Sequence, residues 1–306
     1  MTAQPDARVV RVSAPTERRN PRSVDMDLLP TREVLALINE ADHAVPAAVA
    51  AVLDELAVAV DLAVAAIRAG NRVHYFGAGT SGRLGVLDVA ELSPTFSAPD
   101  GWFRAHLAGG AGAMYRAVED AEDDEVAGAE EATQTVRPGD VVVGLAASGR
   151  TPYVLGALRT ARAIGAACAL VCADPHAAAA AEVDVFIGVD TGPEVVTGST
   201  RMKAASAQKL VLNALSTAVM VRLGRVYSNL MIEMVATNAK LRGRMISILM
   251  EATGHGADEC QRALSVAGGD LKTALVMLLA DVDVIVATTA LARGAGQVRT
   301  ALAQLA

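Results

Sequence analysis

Basic runs, paired cysteines and long uncharged hydrophobic stretches are all missing from this chain. The formal net charge is −7 and no lysine- or arginine-rich segment offsets it. Neither a nucleic-acid backbone nor an anionic membrane surface is therefore an expected partner. The three cysteines, Cys168, Cys172 and Cys260, form no CxxC pair and have no histidine cluster beside them. That disfavours a disulfide framework and a metal site, and makes the cytoplasm the default location. The N-terminal MTAQPDARVVRVSAP has no apolar core of the secretory kind. The most membrane-like run, residues 274–292, carries Asp281 and Asp283 at its middle. Each would cost about 2.5–3.5 kcal/mol in a bilayer, so soluble helices are expected there. Aromatic residues make up only 3%.

What remains is a chain of 306 residues, 52% hydrophobic and rich in Ala, Val and Leu, enough for one large domain with a smaller appendage and for a buried oligomer surface. Residues 1–30 hold Arg, Pro, Ser and Asp with little periodic hydrophobicity and read as an extended arm, in which TERRNPRS has no compositional explanation. Apolar residues at three and four spacing predict a helix from Thr31 and another over 45–68, closed by Gly70. Four short β-rich runs follow, at 72–78, 140–146, 168–173 and 184–189, with a fifth near 103–107. Helical segments separate them, which predicts an α/β fold, a three-layer sandwich whose parallel sheet is flanked by helices. Helices are expected over 200–223 and 229–251, and a small helical bundle over 241–306 completes the chain after a main domain of 31–240.

In such sheets the ligand lies beyond the carboxyl ends of the strands, so the post-strand loops carry the information. Gly77-Ala78-Gly79-Thr80-Ser81-Gly82 follows the first strand, Ser148-Gly149-Arg150-Thr151 follows another, and Thr197-Gly198-Ser199-Thr200 precedes a long helix. Glycine N–H groups, hydroxyls and helix N-termini together bind an anion without lysine. Thr151 followed by Pro152 also reads as an ordinary helix cap. GxGxxG spacing is met only loosely by Gly77, Gly79 and Gly82, no acidic residue ends the next strand, and GxxxxGK[ST] is absent. A small phosphorylated metabolite is preferred over a nucleotide.

GAGTSGRLGVLDVAE at 77–91, AVEDAEDDE at 117–125, VVVGLAASGRTPYVLGAL at 141–158 and EVVTGSTRMKAASAQKLVLNALST at 194–217 strongly resemble the N-acetylmuramic acid 6-phosphate etherases, which carry a sugar isomerase (SIS) domain. TERRNP at 16–21 and a C-terminal bundle similar to the ubiquitin-associated (UBA) type extend the likeness. The resemblance implies a cofactor-independent cleavage of the D-lactyl ether of the substrate sugar phosphate by elimination and water addition. It carries the family's acid onto Glu91 and its second glutamate onto Glu122. Asp120 stands where relatives often have glycine. From composition alone, Glu122 in EDAEDDE would be a solvated helix face. Phosphate and sugar contacts are expected from Gly79, Thr80, Ser81, Gly82, Ser148, Gly149, Arg150, Thr151, Glu194, Ser199, Thr200 and Lys203, with Lys203 preferred over Arg201 for steering the anion. His74 and His106 read as core residues.

One straight helix from Ser81 to Glu91 would separate them by about 15 Å. Either that helix ends early at Ser93-Pro94, or the second loop holds the phosphate, or a homodimer shares the site near its interface, the option preferred here. An aldose–ketose isomerase and a non-enzymatic sugar-phosphate regulator are the competing readings. The paired Glu91 and Glu122 speak against the first, and a single SIS copy that retains the acid against the second.

Overall fold

A computed structural model describes residues 14–234 and 239–306. Residues 14–30 form three short 3-10 turns, followed by α1 (Thr31–Asp42), α2 (Ala44–Ala50) and α3 (Leu53–Arg68). The main domain continues as β1 (Val73–Gly77), α4 (Gly79–Phe96), β2 (Phe103–Leu107), α5 (Glu125–Thr135), β3 (Val141–Leu145), α6 (Pro152–Ile164), β4 (Ala167–Cys172), β5 (Val185–Gly188) and α7 (Lys203–Arg222). A two-stranded hairpin, β6 (Val226–Tyr227) with β7 (Leu230–Met231), leads to α8 (Ala239–Thr253), α9 (Ala257–Val266), α10 (Leu271–Ala280), α11 (Val284–Arg293) and α12 (Val298–Leu305).

The five strands are all parallel, in the order β2-β1-β3-β4-β5. Strand periodicity divides their side chains between two cores. Val73, Tyr75, Val141, Val143, Ala169, Val171 and Ile187 pack with α3, α4 and α7, whereas Phe76, Val142, Cys168 and Leu170 pack with α5 and α6. Both faces are covered, so β1 and β3 are buried along their whole length, His74 of β1 included. The last five helices close on a core of their own around Leu249, Leu275 and Ala287.

Three local expectations are corrected. The segment 45–68 is two helices, because Ala51 and Val52 turn the chain between α2 and α3. Residues 229–231 are the end of a hairpin turn and its second strand, since Ser228 takes a left-handed φ of 53° that no helix tolerates. Helix α4 does not stop at Ser93-Pro94 but runs on to Phe96, where Ser97 closes it in the left-handed region. In the C-terminal run, Asp281 ends α10 with φ 51° and Asp283 caps α11 by accepting the Val286 N–H. Among the described residues the one unbroken helix long and apolar enough to cross a membrane is α7, and half of its apolar window is buried inside the domain.

Candidate active site

Strand β1 has β2 on one side and β3 on the other, so the chain reverses its direction of winding there. The loops after β1 and β3 consequently open side by side. They line a cavity of about 470 Å³ with Gly79, Thr80 and Ser81 from the first loop and Ser148, Arg150 and Thr151 from the second. Gly198 and Thr200 of the loop before α7 form another wall, and Glu122 and Asp123 face them. Glu17 of the TERRNP segment completes the lining.

The helix N-termini here are unequal. Neither α4 nor α6 has a side-chain cap, so no protein side chain bonds the first-turn N–H groups at either N-cap, although Glu17, Glu122 and Asp123 share the cavity. Thr151 does occupy the N-cap position before Pro152, but its hydroxyl makes no capping bond. The N-terminus of α7 is filled instead by Glu194, whose two oxygens accept the N–H groups of Lys203 (3.0 Å) and Ala204 (2.9 Å). Burial raises the Glu194 carboxyl while those two N–H groups and Lys203 pull it down. An anion is thus invited to α4 and α6 and kept from α7.

Glu122 is exposed, but on a turn and not on a helix face. Helix α5 begins only at Glu125, capped by Asp124 through the Ala127 N–H at 2.8 Å. The carbonyl of Glu122 accepts the Tyr153 N–H at 3.1 Å, at the first turn of α6. This clasp depends on close helix contact: a Cβ on Gly128 would lie 1.9 Å from the Tyr153 carbonyl oxygen, and one on Gly156 2.1 Å from that of Glu125. Asp120 turns the acidic segment with φ 63°, a conformation that explains why glycine suits the position. A second cavity of about 300 Å³ shares Ala78, Gly79, Thr80 and Glu122 with the first, and Arg83, Val118, Glu119, Asp120 and several alanines also line it. The Arg83 guanidinium is spent on the carbonyls of Ala113, Met114 and Arg116.

Beneath the site a chain of polar side chains crosses the sheet. Asp140 holds His74 (3.2 Å), His74 meets His106 (3.0 Å), His106 meets Glu131 (2.8 Å), and the Tyr153 hydroxyl donates to Glu131 (2.5 Å). Burial, helped by His106, lowers His74 to about 4 against the pull of Asp140. A neutral His74 fits a structural brace, as expected for a core histidine.

Several residues expected at the site lie elsewhere. Gly82 and Gly149 are required by the backbone: a Cβ on Gly82 would meet the Gly77 oxygen at 2.5 Å, and Gly149 has φ 68° with Ala177 Cβ 2.6 Å from where its own would be. Ser199 is not among the lining residues. Glu194 is fully buried as the α7 cap, and Lys203 is 5% exposed with its ammonium on the Thr191 carbonyl at 2.5 Å. Glu91 is exposed on α4, outside both cavities. Sequence reasoning missed Glu17 and Asp123 as lining residues. The unexplained TERRNP was the available signal: Gly198 N–H donates to the Thr16 carbonyl (3.1 Å) and Ser23 to that of Val195 (2.7 Å), fastening the arm to its own chain's third loop.

Asp88, one turn before Glu91, holds α4 between the sheet and α7 by accepting from Tyr75 (3.2 Å) and Ser216 (3.0 Å). Burial lifts its carboxyl to about 6, although both hydroxyls act to lower it. The native state therefore binds a proton more readily than the unfolded chain, whose aspartates titrate near about 4. Stability should fall as pH rises from about 4 to about 6, then level off. Asp88→Asn should remove that slope, as read from urea unfolding midpoints across the interval; an unchanged slope would assign it to other groups.

Comparison with known proteins adds the following. A family model described as the glucokinase regulatory protein N-terminal SIS domain matches residues 55–162. The chain is 60% identical over 268 residues to an N-acetylmuramic acid 6-phosphate etherase of Thermobifida fusca, covering 88% of each. It is 52% identical over 291 residues to the etherase of Cutibacterium acnes, covering 94% of this chain and 95% of that one. Among solved structures, a phosphoheptose isomerase from Francisella tularensis shares the fold with a TM-score of 0.51 at 15% identity, over 63% of this chain and 100% of its own.

Proposed function

This chain belongs to the N-acetylmuramic acid 6-phosphate etherases, carbon–oxygen lyases of amino-sugar metabolism, and we propose that it releases D-lactate with Glu122 as base and Glu91 of a second copy as acid. The products are N-acetylglucosamine 6-phosphate and D-lactate. An ether is a poor electrophile, but this one sits at C3 of an aldose. Ring opening exposes a C1 aldehyde that acidifies the C2 proton. Glu122 takes that proton, the C3 oxygen leaves as lactate on receiving a proton from Glu91, and water adds to the unsaturated aldehyde. The open N-termini of α4 and α6, with Ser81, Ser148 and Thr151, hold the phosphate.

The observation that carries this reading is a cavity that joins two uncapped helix ends and their hydroxyls to the carboxylate of Glu122, with Glu17 and Asp123 also in its lining. A shared site is supported by α4 itself. At 100° per residue Thr80, Leu84, Leu87 and Glu91 form one stripe, beginning at the cavity and ending in solvent, with Leu87 54% exposed. Helix α1 buries no apolar residue fully within the chain, with Val34, Leu37 and Ile38 half-buried and Leu35 exposed, which also fits a second copy packed on this side. The test is turnover in ¹⁸O-labelled water: lactate should be released and label should appear at C3 of the sugar. Unlabelled sugar, or no lactate, would overturn the mechanism.

A further inference from the structure

The substrate class proposed above carries two anions, a phosphate and the carboxylate of its lactyl arm, and the two pockets that adjoin the phosphate cavity differ in charge. The pocket shared through Glu122 is lined by Glu119 and Asp120, and its one arginine is committed to three backbone carbonyls. On the other side of Thr80 lies a pocket of about 410 Å³ with Leu84 and Pro46 on its walls and Arg201 and Lys209 along it. Both cations are exposed, and neither has an ion-pair or hydrogen-bond partner among the described residues. Asp42 is the single acid in that lining, and its buried Oδ1 has no partner, so the pocket stays net cationic with one free acceptor.

We propose that this pocket is the carboxylate subsite, in which Arg201 and Lys209 recognise the lactyl arm and so set the enzyme's preference for a lactyl-bearing sugar phosphate. The inference rests on the sugar-phosphate reading of the main cavity. Lining of both cavities by Thr80 makes them neighbours, and Thr200 in one is followed directly by Arg201 in the other. A carboxylate swung to the opposite side would meet Glu119 and Asp120, where like charge repels it. The assignment also relieves Lys203 of a steering role its buried ammonium cannot fill.

Calorimetric binding separates this from turnover. The probes are the C1-reduced alditol of N-acetylmuramic acid 6-phosphate, which cannot enolise, and the corresponding alditol of N-acetylglucosamine 6-phosphate. Arg201→Gln with Lys209→Gln should weaken the first by about 10- to 100-fold and the second by less than about twofold, the range expected for lost charge-assisted hydrogen bonds. Equal weakening of both would make the cations phosphate ligands, and no weakening of either would leave them surface charges; each result overturns the proposal. Wild-type protein that binds the two alditols equally overturns it too. Failure of the etherase reading shows separately, as absence of lactate release by wild type.

Discussion

Mixing Glu91→Gln protein with Glu122→Gln protein, unfolded and refolded together, is expected to restore about a quarter of wild-type lactate release from two preparations that are each nearly inactive. Each variant alone should lose about 10²- to 10⁴-fold in kcat, the ordinary worth of one positioned proton donor or acceptor. The gain on mixing follows from geometry. Glu91 lies on the solvent side of α4, eleven residues beyond Thr80, while Glu122 lies in the cavity. If one copy supplies the acid to the other's site, half the random dimers are mixed and each holds one intact pair. Should the mixture be no more active than its components, the pair acts within one chain and the shared site is wrong.

The second large effect is expected from Gly128→Ala. A Cβ there would sit 1.9 Å from the Tyr153 carbonyl oxygen, and neither partner is a flexible side-chain end. Helices α5 and α6 must separate, at about 1–3 kcal/mol or more. The same separation pulls the Tyr153 N–H from the Glu122 carbonyl, so kcat should fall along with the thermal midpoint. Gly243→Ala is the control: it lies on α8 with nothing within 4 Å of the added carbon and should be neutral or stabilising by about 0.5–1 kcal/mol. A Gly128→Ala protein with wild-type stability and kcat would show that this crossing does not position Glu122.

The sandwich was legible because its signals are local. Four apolar runs and the fifth at 103–107 match the observed strands, and the hydroxyl–glycine loops mark the ends of β1 and β3. Helix boundaries that depend on a single backbone conformation were less so: Ser228 and the Ala51-Val52 turn carry no strong breaker.

Sequence by itself determined the parallel sheet, the glycine- and hydroxyl-rich loops that follow its strands, and the family. Its alternation of periods and its glycine and hydroxyl clusters act over a few residues, within reach of local physics. Only tertiary structure decided which of those loops stays open. Glu194 closes the N-terminus of α7 from nine residues away, Glu17 enters from the N-terminal arm, and the Gly128–Tyr153 contact turns an acidic segment into a cavity wall. Lys203 and Arg201 are two residues apart in the chain, yet one is buried on a carbonyl and the other exposed. Burial and partner choice are set by neighbours distant in sequence, so no local pattern contains them.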